Sequence, residues 1–113
     1  MSTTSIGRQA ETKAATYLTN LDYKVLVKNW RTRFCEIDIV ARKNNRVYFV
    51  EVKYRKSSDW GGGVDYITSK KLKQMSFAAE LWVASNNWQG DYQLAVIEVS
   101  GADFEVTNIL IDF

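Results

Sequence analysis

The chain contains no histidine and one cysteine among its 113 residues. Without histidine there is no Ser-His or Cys-His nucleophile pair and no imidazole general base. With a single cysteine besides, a zinc site of the usual nitrogen and sulfur ligands is excluded. The lone thiol also forms no internal disulfide, which fits a reducing, cytoplasmic setting. Proline is absent as well, so no turn is fixed by a locked φ. No run of about 18 apolar residues occurs, so no membrane partner is expected, and the first residues lack the apolar stretch of a signal peptide. Neither G-x-x-x-x-G-K-S/T nor G-x-G-x-x-G is present, which leaves nucleotide-binding folds unsupported. Any metal here must be held by oxygen, and carboxylates, carbonyls and water suit Mg²⁺, Mn²⁺ or Ca²⁺.

What is present describes one globular domain spanning 1–113. Apolar residues make up 46% and charged residues 25%, the proportions of an ordinary core-forming chain. Ser5 to Asn20 carries Ile6, Ala10, Ala14, Tyr17, Leu18 and Leu21 near one stripe and predicts a helix, with Ser5 as N-cap. Strands are expected at Tyr23–Trp30, Arg33–Arg42 and Arg46–Lys56. A loop with Ser57, Ser58 and Gly61-Gly62-Gly63 then leads to a helix at Ser69–Asn86, its stripe formed by Leu72, Met75, Ala79, Trp82 and Val83. Tyr92–Val99 and Phe104–Ile111 read as closing strands. The order αβββαββ predicts an α/β fold, a small mixed sheet flanked by helices.

The central hairpin carries the chemistry. Asn44-Asn45 forms a plausible two-residue turn because Asn tolerates positive φ. Cross-strand partners then have numbers that sum to 89. This puts Asp38 opposite Glu51 and Glu36 opposite Lys53. The other face pairs Ile39 with Val50, Ile37 with Val52, Ala41 with Tyr48 and Cys35 with Tyr54, apolar as a core face should be. A slip of one residue would turn acids into the core, whereas a slip of two keeps the parity. Directly opposed carboxylates, with Cβ atoms ~4.5–5.5 Å apart, repel each other and call for a cation. Val40 and Phe49 share their face, so the acids are not simply turned to water.

Charge is distributed unevenly. Thirteen of the fifteen basic residues lie between Lys24 and Lys73, alongside only five acids, and no basic residue follows Lys73. Trp30, Tyr54, Trp60 and Tyr66 are interleaved with that basic half. Such a surface neutralises phosphates and stacks bases, so nucleic acid is the expected partner. Arg31, Arg33, Arg55, Lys56, Lys70 and Lys71 are the expected contacts. Lys70 and Lys71 open the second helix, where the macrodipole disfavours cations. Trp60-Gly61-Gly62-Gly63 is either a loop that meets the substrate or a connector.

These residue types suit phosphodiester hydrolysis, which needs a metal to polarise the phosphoryl group and a positive charge nearby. Asp38 and Glu51 are the candidate metal ligands, with the Val52 carbonyl as a third. Lys53 points to the same side as Glu51 and can orient water or stabilise developing charge. Glu36 is a supporting partner of Lys53. Glu11 borders the buried stripe of the first helix; by position alone it is a boundary residue snorkelling to solvent or paired with Arg8 or Lys24, and functionally it is a ligand of the metal or of a second one through water.

An Asp followed thirteen residues later by Glu-x-Lys resembles the PD-(D/E)XK nuclease superfamily. Together Gly7, Glu11, Ala14-Ala15, Tyr17-Leu18, Asn29-Trp30-Arg31, Glu36-Ile37-Asp38 and Phe49-Val50-Glu51-Val52-Lys53-Tyr54-Arg55 look like the YraN-like (UPF0102) family. The chain is also similar to archaeal Holliday junction resolvases, where a helix-one glutamate joins the aspartate and the Glu-x-Lys. The resemblance implies a restriction-endonuclease-like fold and an endonuclease dependent on Mg²⁺ or Mn²⁺ that cleaves DNA, branched DNA included. It carries Glu11, Asp38, Glu51 and Lys53 over as catalytic residues and suggests a homodimer. The chain departs from the family at Asp22 and Cys35, where glycine is usual, and at Gln93-Leu94-Ala95, where Arg-Phe-Asp is usual. The superfamily's proline is replaced by Ile37. A module that binds nucleic acid without cutting it, or a protein-interaction domain, are the competing readings.

Overall fold

The computed structural model describes residues 3–56 and 67–111. Trp60, Tyr66 and the Gly61-Gly62-Gly63 run lie outside the described residues. The elements are α1 (Thr3–Asn20), β1 (Lys24–Arg31), β2 (Glu36–Lys43), β3 (Arg46–Arg55), α2 (Ser69–Ser85), β4 (Asp91–Ser100) and β5 (Glu105–Ile111). This is the αβββαββ order expected. One five-stranded sheet runs in the order β1-β2-β3-β4-β5. β3 and β4 are parallel and all other neighbours antiparallel. A parallel pair needs a crossover connection, and α2 lies within it.

Each helix covers one face. α1 lays Ala10, Ala14 and Leu18, spaced by one helical turn, against Ile39, Ala41, Val50, Ala95, Ile97 and Val99. α2 sets Ala78, Ala79 and Trp82 against Ile37, Val40, Val47 and Phe49. The central strands are therefore covered on both sides, and Ala95 to Ser100 of β4 are buried without alternation, as parallel strands usually are.

The ends of α1 differ from expectation. It starts at Thr3, so Ser5 lies inside the first turn and is not the N-cap. Thr3, Thr4 and Ser5 are all capping types, and pattern alone does not choose among them. Leu21 does not extend the buried stripe and is 43% exposed. The cause is a helix stop at Asp22, which takes φ 69. The Tyr23 N–H donates to the Leu18 carbonyl at 3.0 Å and the Asp22 N–H to the Thr19 carbonyl at 3.0 Å, a Schellman stop. Aspartate is among the few non-glycine residues that tolerate this backbone. α2 is capped by Thr68, whose Oγ1 accepts from the Lys71 N–H at 3.1 Å.

The β2–β3 hairpin takes the expected register, from Lys43 with Arg46 to Ile39 with Val50, so the two-residue slip is ruled out. Asn44 sits at φ 57, the conformation the turn requires. The Asp91 N–H donates to the Asn45 carbonyl at 3.2 Å, tying the start of β4 to the hairpin tip. A Cβ on Gly90 would come within 2.8 Å of that carbonyl, so the close approach requires glycine there.

Ile39 is completely buried between α1 and the sheet. Ile39→Ala is expected to cost about 2–5 kcal/mol in urea denaturation. Leu26→Ala, at a position 39% exposed, should change stability by under about 0.5 kcal/mol.

Candidate functional site

The hairpin ladder stops at Ile39–Val50, one pair before the two carboxylates would meet. Asp38 takes over from the backbone there. Its Oδ2 accepts the Val52 N–H at 2.8 Å, so a side chain fills the place of a strand neighbour. Asp38 is therefore not in a paired register position with Glu51, as expected, but stands at the point where β2 parts from β3.

On its other side the backbone is also irregular. Asn29 of β1 lies across from Asp38, between the Lys28–Ile39 and Trp30–Ile37 pairs, and takes φ 55. The alternation of β2 breaks at this point. Ile39 packs on the α1 side and Ile37 on the α2 side, although both have odd numbers. The expected Ile37–Val52 contact on one face is therefore replaced by Ile37 packing under α2. Cys35 packs there too and not on the Ile39 side, with its Sγ 3.4 Å from the Thr32 hydroxyl.

Burial, first of all, and the charge of Glu51 push the Asp38 carboxyl up from 3.8 to about 7. The Val52 N–H opposes this, while Glu11 and Glu36 add smaller upward pushes. Glu51 points to the α2 side, its side chain 16% exposed. There its Oε2 lies 3.1 Å from Lys71 Nζ and its Oε1 4.0 Å from Lys53 Nζ. Lys71 was expected to meet phosphate, yet in the structure its ammonium is engaged by Glu51.

Glu36 departs from expectation. It pairs with Arg31 across the β1–β2 ladder, with an Nε–Oε2 distance of 3.3 Å, and not with Lys53. Both side chains are more than 60% exposed, so the pair is worth under about 1 kcal/mol. Arg31 is thus engaged as well. Lys53 instead lies beside Glu98 in the parallel β3–β4 ladder.

Arg55 also departs from its expected role. Its guanidinium reaches the nearly fully buried Glu98 at 3.4 Å, with only 15% of the side chain exposed. Thr107 donates to the same carboxylate at 3.2 Å, and Ser100 and Thr107 are hydrogen-bonded at 2.8 Å. A buried carboxylate needs a counter-charge, and Arg55 is that counter-charge and not a surface contact. Glu98 itself went unnoticed in the sequence, where it reads as one polar position in an apolar strand. Tyr54 and Trp30, expected to stack bases, are used inside the fold. Tyr54 stacks on Phe104 with centroids 5.0 Å apart and donates its hydroxyl to the Gly101 carbonyl at 2.9 Å. Trp30 packs beside Val40 and Trp82.

Glu11 stands on the α1 side of the sheet, half-buried, in a cavity of about 540 Å³ shared with Gly7, Arg8, Asn29 and Arg31. It makes no ion pair with a described residue, so its expected pairing with Arg8 or Lys24 is absent. Among the described residues no group of three acidic, cysteine or histidine side chains is assembled for metal binding. Glu11 therefore influences Asp38 through its charge without joining it and Glu51 in one ligand group. The donors that remain together are the Asp38 and Glu51 carboxylates. The Val52 carbonyl leaves β3 on the same edge as the N–H that Asp38 accepts. Arg33, Lys56 and Lys70 are exposed.

The sequence model described as "Uncharacterised protein family UPF0102" matches residues 10–105. The chain belongs to this family. A UPF0102 protein of Sulfurihydrogenibium sp. is 40% identical over 102 residues, covering 89% of each chain. One from Cytophaga hutchinsonii is 37% identical over 100 residues and 88% of each chain. One from Geobacter metallireducens is 46% identical over 80 residues, 71% of this chain and 66% of its own. Asp22 and Cys35, read from sequence as departures from the family's usual glycines, have physical roles here: Asp22 holds the left-handed helix stop, and Cys35 packs under α2.

Two expectations follow. Because the folded Asp38 pKa lies above its ordinary value, the native state holds a proton that the unfolded chain releases between about pH 4 and 7. Asp38 thus supports folding below that window, and its contribution is lost as pH rises through about 7. Asp38→Asn should flatten the metal-free stability profile across this range and raise the melting temperature at pH 8. Separately, Glu98→Ala leaves Arg55 buried without its partner and should cost about 3–5 kcal/mol in urea denaturation.

Proposed function

We propose that this protein is a divalent-metal-dependent endonuclease that hydrolyses phosphodiester bonds in DNA, with Asp38, Glu51 and Lys53 at its centre. One observation carries the reading. Asp38 is held at the strand opening by the Val52 N–H, and burial and Glu51 push its carboxyl up to about 7. A buried carboxylate whose charge is disfavoured by its burial and by a neighbouring carboxylate marks a place that a divalent cation would relieve. Oxygen-only donors suit Mg²⁺ or Mn²⁺, and Asp38, Glu51 and the Val52 carbonyl would hold it. Such an ion polarises a phosphoryl oxygen and acidifies a water.

The chain's own groups supply the rest. Lys53 stands on the sheet face of Glu51 and is 34% exposed. It can orient the attacking water or stabilise charge developing on the phosphoryl oxygens. Glu11, which raises the Asp38 carboxyl through its charge, would act on the ion or a second one through water. DNA as partner, with branched DNA as the preferred form, rests on the family resemblance and on the basic segment from Lys24 to Lys73. A cytoplasmic location and a homodimer belong to the same reading.

A second reading has its own observation. Glu51 is already neutralised by Lys71 at 3.1 Å and approached by Lys53 at 4.0 Å, which suits a module that binds nucleic acid without cutting it.

Incubation with branched and linear DNA, and with RNA, in Mg²⁺, Mn²⁺ or EDTA separates the two. Metal-dependent cleavage of DNA is expected. Lys53→Ala should lower its rate by roughly 10²–10⁴-fold, and Asp38→Asn should abolish it. Binding without cleavage in any metal would establish the second reading instead.

A further inference from the structure

We propose that Phe34 and Phe77 form a stacking site for unpaired bases, so that the substrate carries a single-stranded or frayed segment beside the carboxylates. This rests on reading the protein as one that acts on nucleic acid. Among the large hydrophobic residues described, these two are the most exposed, at 72% and 50%. Both line one open cavity of about 690 Å³, together with Glu51, Lys70, Lys71 and Lys73. Large apolar side chains held in water beside a concave surface mark a place where something binds.

Phe34 is held out by its turn. The Thr32 hydroxyl accepts the N–H groups of Phe34 at 3.1 Å and Cys35 at 3.2 Å, and the Thr32 N–H donates to the Cys35 carbonyl at 2.9 Å. The Arg33 guanidinium lies 5.4 Å from the Phe34 ring centroid, so a cation travels with the aromatic face. Phe77 projects from α2 on the side away from Ala78 and Ala79, which are buried. Lys70 and Lys73 are exposed and make no ion pair with a described residue.

The occupant follows from charge and shape. Lys70 and Lys73, unpaired among the described residues, line the cavity with the two phenyl rings, and Arg33 lies over the Phe34 ring. With Lys71 they outnumber the lining acids Glu36 and Glu51, and so complement a polyanion that also offers flat apolar faces. A single-stranded nucleic acid is such a ligand, with a phosphate and a base face at every step. A duplex presents the phosphates but hides its base faces in the stack, so it cannot use the rings. An acidic protein surface would satisfy the lysines and leave the protruding rings without a specific partner. Of the aromatics in the basic segment first read as stacking candidates, the two that lie among the described residues, Trp30 and Tyr54, are taken up in packing, whereas Phe34 and Phe77 stand out from it.

The test is fluorescence anisotropy in EDTA, with an oligothymidylate of about 15 nucleotides and a duplex of the same length. Phe34→Ala and Phe77→Ala should each weaken single-strand binding about 5-fold or more, leaving duplex binding and the salt slope at wild-type values. Phe34→Trp should keep single-strand affinity. Melting temperatures equal to wild type exclude misfolding. Equal losses on single strand and duplex, or no loss on either, overturn the proposal. A parallel cleavage assay in Mg²⁺ keeps the two readings apart. Cleavage that Asp38→Asn abolishes, with Phe variants that bind single strands normally, refutes the stacking site and leaves the nuclease. Single-strand binding lost in the Phe variants, with no cleavage in any metal, supports the stacking site and refutes the nuclease.

Discussion

The bond from the Val52 N–H to the Asp38 carboxylate organises the rest of this molecule. A strand in the middle of a sheet normally gives its N–H to a neighbouring carbonyl. Here the neighbour ends its pairing at Ile39, and a side chain substitutes for the missing backbone acceptor. Three consequences follow from that one substitution. The Asp38 carboxyl is fixed in the plane of the sheet, partly withdrawn from water. Ile37 is released to the α2 side, where it completes the packing under Trp82. Beyond Val50, β3 has no ladder partner in β2, while β4 still pairs with Glu51, Val52 and Lys53. Asn29, bent to φ 55 across from Asp38, is the corresponding adjustment in β1.

Electrostatics follow from the same geometry. The basic half of the chain is less free than its composition implies, because much of it answers acids within the fold. Lys71 answers Glu51, Arg55 answers the buried Glu98, and Arg31 answers Glu36. What remains turned outward is a smaller set, with Arg33, Lys70 and Lys73 near the exposed rings of Phe34 and Phe77. The proposed cation site then lies between two differently built surroundings. On the α2 side are Glu51 and the lysines; on the α1 side is Glu11 in its own cavity with Arg8 and Asn29.

Much of this was legible in the sequence, and the failures on the hairpin have a common cause. Element order, the helix stripes and the hairpin register all followed from periodicity and from the turn residues Asn44 and Asn45. Those are local signals, set by a few consecutive residues. Apart from the ends of α1, where Ser5 and Leu21 were misplaced, the errors of register fell where the regular ladder stops. Extending the register past Ile39 set Glu36 against Lys53 and Ile37 against Val52, because period-two logic has no means of sensing that a side chain has replaced a strand. Glu98 and its partnership with Arg55 were missed for a related reason. Those residues lie 43 positions apart and meet only through the parallel pairing of β3 with β4. Two of the four aromatic candidates were misjudged similarly: sequence position marked Trp30 and Tyr54 as surface residues, while tertiary packing took up both and left Phe34 and Phe77 exposed; Trp60 and Tyr66 lie outside the described residues.

The proposed cation site at the strand opening can be tested without any substrate, by following amide resonances during a titration with substoichiometric Mn²⁺. The account predicts paramagnetic broadening first at Asp38, Glu51, Val52 and their immediate neighbours, and its loss in the Asp38→Asn variant. Broadening spread over exposed acids such as Asp91, Asp103 and Glu105, or a pattern unchanged by Asp38→Asn, would contradict it.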